Sequence, residues 1–102
     1  MLINIKTPAE LGLLMRATRK HQKVRIDDVA GSARVGPVFV REVERGKETV
    51  QLGRVLQVLD ELGIELKVDV SDDVMPILEK LKATGVKPLI QRKFSMTRKG
   101  TE

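Results

Sequence analysis

The sequence predicts a small, mainly α-helical domain with one short β element. Three observations predict it. Apolar residues recur at three- and four-residue spacing in several stretches, each bounded by a capping residue, a proline or a glycine. Residues 64–70, Ile-Glu-Leu-Lys-Val-Asp-Val, alternate apolar and polar with period two. The 102 residues are 41% hydrophobic and 32% charged, enough apolar material for one core and too much for a disordered chain.

The elements follow in order. Residues 2–5, Leu-Ile-Asn-Ile, are apolar and β-branched, a candidate short strand. Thr7-Pro8-Ala9-Glu10 is a capping box, in which the Thr and Glu side chains each satisfy an orphan amide. Leu11, Leu14, Met15 and Thr18 then mark one face of a helix running to about residue 21. A second helix fits residues 26–33, with Asp27 and Asp28 in its positive first turn and Val29, Ala30 and Ala33 inward. Gly36-Pro37 opens a third, which runs to Arg45 and stops at Gly46. Thr49 is placed to cap a fourth, whose stripe is Leu52, Val55, Leu56, Leu59 and Leu62 and whose end is Gly63. A fifth fits residues 74–84, with Asp73 as N-cap, Pro76 in the first turn, Val74, Ile77, Leu78 and Leu81 on its apolar face, and Gly85 at its end. The strand at 64–70 cannot leave its ladder unpaired. Its partner is residues 2–6, the same strand of a second copy, or both. This is the first sign of a homodimer, with Ile64, Leu66, Val68 and Val70 as its dimerisation residues. Two regions result: residues 1–70, and an extension over 71–102 that ends in a basic tail after residue 86.

Composition excludes several functions. With no Cys, a disulfide framework, a thiolate zinc site and a cysteine nucleophile fall away. The single His, His21, leaves no His-based triad and reads as an exposed helix-end residue. Two Phe and no Trp or Tyr supply no stacking platform for single strands. Asp27-Asp28, Asp72-Asp73 and Glu42–Glu44 read as caps and solvated charges, and Gly31-Ser32 and Val35-Gly36-Pro37 lack the lysine spacing of a phosphate loop. The chain is expected to be no enzyme and to need no cofactor or metal. No apolar run reaches the ~20 residues of a membrane span, and the opening MLINIKTPAE lacks the pattern of a secretory leader. The expected location is the cytoplasm, associated with the nucleoid.

The net charge of +5 is uneven. Residues 1–23 hold five basic and one acidic residue, residues 34–54 five and three, and residues 87–102 five and one. Residues 60–73 hold one basic and six acidic. A polyanion partner would therefore meet the first three segments and avoid the fourth.

A helix, a short helix, a tight turn, a helix and a longer helix make the helix-turn-helix plan. Val24-x4-Val29-Ala30 and Val40-x2-Val43-Glu44-Arg45-Gly46-Lys47 carry a resemblance to the λ-repressor/Cro-type (XRE) family across residues 11–63. The run from Phe39 to Gly53, followed by Val55-Leu56-x-Val58-Leu59-x-x-Leu62-Gly63-Ile64, is similar to the HipB-like antitoxins of that family. The resemblance spans about residues 7–70. It implies a λ-repressor-like fold, an ion pair between Arg19 and Glu44, and a strand at 64–70 that pairs with its mate across a dimer axis. Three departures shape the expected contacts. Arg34 stands where the family usually has Gly in the turn, with Gly36 nearby to take up the strain; Ile26 stands where it often has Gln; and the third helix opens Gly36-Pro37-Val38-Phe39. Base contacts then fall to Arg41, bidentate toward guanine, with Val38 against a thymine methyl and Pro37 beside it. Phosphate contacts fall to Arg25, Arg34, Gly36, Arg45 and Lys47. Phe39 is expected in the core.

The resemblance further implies an antitoxin that binds operator DNA, represses its own toxin–antitoxin operon and binds a HipA-like serine/threonine kinase toxin. The first helix, the acidic 60–73 region and the segment after residue 71 are the candidate toxin contacts. Two alternatives stand beside it: a stand-alone XRE-type regulator without a toxin, and a protein-interaction adaptor on a helix-turn-helix scaffold.

Overall fold

Five helices order the chain in the computed structural model, which describes residues 1–85. The basic segment 87–102, with Pro88 to Phe94 as its candidate docking stretch, lies outside the described residues. The helices are α1 (Pro8–Gln22), α2 (Ile26–Ala33), α3 (Pro37–Glu44), α4 (Leu52–Glu61) and α5 (Val74–Thr84). The chain divides into two units, Met1–Lys67 and a second that begins at Val68.

The first unit is built from its caps inward. Glu10 N–H donates to Thr7 Oγ1 at 3.1 Å, and Thr7 N–H donates to Glu10 Oε1 at 3.0 Å. The capping box thus starts α1 where the sequence places it. α1 packs on α3, α3 on α2, and α2 on α4. Met15, Val29, Ala30, Ala33, Val40, Val43, Val55, Val58, Leu59 and Leu62 form one aliphatic core, with Leu11, Val24, Val35, Phe39 and Ile64 partly buried against it. Gly12 lets α1 and α3 touch through their backbones: a Cβ there would stand 2.7 Å from the Glu44 carbonyl oxygen and nearer still to that of Val43. Gln22 Nε2 donates to the Leu62 carbonyl at 2.8 Å and ties the end of α1 to the end of α4.

Three expectations are corrected. Thr49 does not cap α4; the helix starts at Leu52, after Gln51, and no side chain caps it. Leu52 and Leu56 lie outside its buried stripe, at 68% and 40% exposure, because Val58 recentres that stripe on Val55, Val58, Leu59 and Leu62. No β-strand forms among the described residues, at 64–70 or at 2–6. The reason lies at the end of α4. Gly63 takes φ 74, Gly63 N–H donates to the Asp60 carbonyl at 3.0 Å, and Ile64 N–H donates to that of Leu59 at 2.9 Å. Ile64 therefore closes the helix and turns onto its own core. Beyond it Leu66, Val68 and Val70 are exposed, and no second segment among the described residues supplies a ladder.

In the second unit α5 runs over the expected residues and closes at Gly85, with φ 70. Asp73 precedes it without a side-chain cap bond, and no residue of α5 is buried. No helix among the described residues is long and apolar enough to cross a membrane.

Candidate nucleic-acid interface

Helix α3 has two chemically different faces. Val40, Val43 and Glu44 point inward, at 0%, 4% and 8% exposure. At 100° per residue, Val38, Arg41, Glu42 and Arg45 fall on the opposite arc. Val38, Arg41 and Arg45 are exposed there, and Glu42 is half-buried.

The inward face is locked by an ion pair. Arg19 Nε donates to Glu44 Oε2 at 2.7 Å and Arg19 Nη2 to Glu44 Oε1 at 3.0 Å, the bidentate form. Arg19 Nη1 also donates to the Val24 carbonyl at 3.1 Å, so one guanidinium joins α1, α3 and the α1–α2 connection. The hydrogen bond to Glu44 raises the Arg19 pKa above its ordinary value, against the opposing pull of burial. The guanidinium stays charged, and α3 is fixed with its outer arc toward solvent.

The other expected contacts lie at the ends of α2 and α3. Gly36 precedes α3 with φ −76, and Pro37 fills its first position. The strain that Gly36 was expected to take up falls on Arg34, whose φ is 62. Arg25 precedes α2 and Arg34 closes it, both exposed. Arg25 pairs with Asp27 at 3.5 Å, and Lys47 Nζ with Glu42 Oε1 at 3.3 Å. Exposed pairs of this kind are worth ~0–1 kcal/mol, so either cation can exchange its carboxylate for a phosphate. Arg34, Arg41 and Arg45 make no side-chain ion pair among the described residues. Of the expected dimerisation residues, Ile64 is half-buried, while Leu66 is 60%, Val68 76% and Val70 45% exposed. A shallow groove of about 320 Å³ runs beside Leu56, Leu59, Ile64 and Leu66.

Sequence reasoning missed Glu42 on the outer arc. The signal was available, since Val40 and Val43 as inward residues place residue 42 outward by helical geometry alone. It also missed Lys23, whose φ of 60 nothing in the local sequence announces.

Over 68 residues the chain is 48% identical to an uncharacterized HTH-type transcriptional regulator, y4mF, of Sinorhizobium fredii, a match covering 67% of this chain and 90% of that protein. The chain belongs to the HTH-type transcriptional regulators. No protein-family profile matches it. Among solved structures, the regulator's fold is that of HipB. It matches HipB in the HipB-O4 20mer complex with a TM-score of 0.63 at 14% identity, over 70% of this chain and 100% of that one. It matches a chain of the HipA-HipB-O2-O3 complex with a TM-score of 0.64, again at 14% identity and over 70% of this chain and 100% of that one. The clp gene regulator ClgR from C. glutamicum is 26% identical with a TM-score of 0.54, over 65% of this regulator and 85% of ClgR.

Proposed function

We propose that this regulator is a DNA-binding antitoxin that works as a homodimer, represses its own toxin–antitoxin operon and binds a HipA-like serine/threonine kinase toxin. The two faces of α3 carry the reading. Its inner face is fixed by Val40, Val43 and the Arg19–Glu44 pair, which leaves Val38 and Arg41 on a rigid outer arc sized for the major groove. Arg41 addresses guanine O6 and N7, Val38 meets a thymine methyl, and Pro37 packs beside them. Arg25, Arg34, Arg45 and Lys47 hold phosphates, as does the backbone amide of Gly36. Two copies would make roughly 8 to 12 phosphate contacts, so affinity falls ~10³-fold or more between low and moderate salt.

Leu66, Val68 and Val70 are the exposed apolar residues that a second copy covers, and pairing across a two-fold axis supplies the ladder absent among the described residues of one chain. Among the structural neighbours, HipB is named in complexes with O4 and with HipA, O2 and O3, which favours an operator and a kinase partner for this chain. The family of its relative, an HTH-type transcriptional regulator, supports the second reading, a stand-alone regulator without a toxin.

Binding to a duplex of the DNA immediately upstream of the coding sequence tests the proposal, measured over several salt concentrations against a scrambled duplex. Tight, salt-sensitive binding that prefers the upstream duplex and weakens in Arg41→Ala supports it. Equal binding to both duplexes sinks direct autoregulation. Co-purification with a kinase separates the antitoxin from the stand-alone regulator.

A further inference from the structure

The helices of this chain end alike. At the ends of α1, α2, α3 and α4, one residue takes the left-handed conformation and donates back three residues, and the next residue donates back five. The bonds are Lys23 to Lys20 and Val24 to Arg19, both 3.1 Å; Arg34 to Gly31 at 3.3 Å and Val35 to Ala30 at 2.9 Å; Gly46 to Val43 at 3.0 Å and Lys47 to Glu42 at 3.1 Å; and Gly63 and Ile64 as above. α5 closes with left-handed Gly85 donating to Lys82 at 3.2 Å. Glycine adopts this conformation freely, whereas an L side chain meets its own carbonyl there. The chain uses glycine at the ends of α3, α4 and α5. Lys23 and Arg34, with φ 60 and 62, are the only non-glycine residues of positive φ among the described residues.

These two exceptions share more than their backbone. Both are cations, both are exposed, and neither forms an ion pair among the described residues. They bracket α2, eight residues and so about 12 Å of helix. The attraction of a cation to a helix C-terminus does not explain them. The ends of α3, α4 and α5 offer the same negative pole and hold glycine. The closing turns require the left-handed conformation at both positions, and glycine would meet it without strain, so the two cationic side chains point to a contact outside the fold.

We propose that Lys23 and Arg34 form a phosphate clamp at the two ends of α2, each holding a separate phosphate of duplex DNA against a backbone penalty. The clamp rests on the DNA-binding reading above and adds Lys23 to its contacts. Phosphates carry no sequence, so the clamp strengthens binding to every duplex alike.

Lys23→Gly, Arg34→Gly and the double variant test it in the full-length protein, with Arg16→Gln, another exposed unpaired cation, as control. Thermal unfolding and affinity for the upstream and scrambled duplexes are measured across a salt series. Each glycine variant is expected to melt about 4 °C higher, through relief of the left-handed strain. Each should also bind both duplexes about tenfold more weakly at low salt. The slope of log affinity against log salt should become shallower by about 0.9 for each contact removed. Arg16→Gln should leave the slope unchanged. A higher melting temperature with unchanged affinity and slope overturns the clamp and leaves the DNA reading intact. A lower melting temperature also overturns it, by showing that the cations serve the fold. Failure of the wild-type protein to bind either duplex overturns the DNA reading, and the clamp with it.

Discussion

Helices α4 and α5 have similar apolar patterns and opposite fates. In α4 the stripe of Val55, Val58 and Leu59, continued by Leu62, is 0–3% exposed and forms one wall of the core. In α5 Val74, Ile77, Leu78 and Leu81 repeat at the same spacing, and all remain 37–61% exposed. The difference teaches what periodicity can and cannot say. Spacing of three and four residues states that a helix has an apolar side. It does not state what covers that side, since the cover comes from elements distant in sequence or from another molecule. α4 finds α2 within its own chain. The stability of this protein should therefore concentrate in α1–α4, and substitutions there and in α5 should separate sharply.

The largest expected effect is Met15→Ala. Met15 is fully buried in the core, and its truncation combines lost transfer energy with a cavity. A loss of about 3–4 kcal/mol should appear as a lower urea midpoint with an unchanged slope. Arg19→Ala comes next, at about 3 kcal/mol, because it strands the Glu44 carboxylate, whose side chain is only 5% exposed. The double variant Arg19→Met/Glu44→Leu should lose clearly less than Arg19→Ala, since apolar groups need no partner. A double variant as unstable as the single one would show that Arg19 acts through its bond to the Val24 carbonyl instead.

The same contrast explains how much was legible in the sequence. The start of α1, the start of α3 and the end of α5 follow from signals contained in a few adjacent residues: a capping box, a proline, a glycine. Thr7→Ala should confirm the first of these with a loss of about 1 kcal/mol in the same unfolding experiment. The outward arc of α3 was half legible. Val38 and Arg41 follow from Val40 and Val43, yet Glu42, on the same arc, reads from the sequence as a plain solvated charge. What stayed hidden depends on relations across the chain. Alternation over 64–70 is real, but Ile64 is taken by the closing turn of α4, and a strand needs a neighbour that the described residues do not supply. Gly12 looks like a weak point in α1 until α3 lies against it. The placement of left-handed strain on Arg34, with Gly36 two residues away left at φ −76, is likewise set by the closing bonds of α2.

The smallest expected effect makes the comparison sharpest. Ile77 is 61% exposed and no residue of α5 is buried, so Ile77→Ala removes little packing among the described residues. Alanine also forms helix better than isoleucine by a few tenths of a kcal/mol. α5 has 11 residues, below the ~12–15 at which isolated helices become even marginal in water, so its helicity responds to such small differences. At low protein concentration the main unfolding transition of Ile77→Ala should lie within about 0.5 kcal/mol of wild type, with helical circular dichroism unchanged or slightly raised. The equivalent truncation in α4, Leu59→Ala, should cost several times more, because Leu59 is 2% exposed. A loss in Ile77→Ala that grows with protein concentration would mean that a second copy covers α5. The two helices would then differ only in where their cover comes from: another part of the same chain for α4, another molecule for α5.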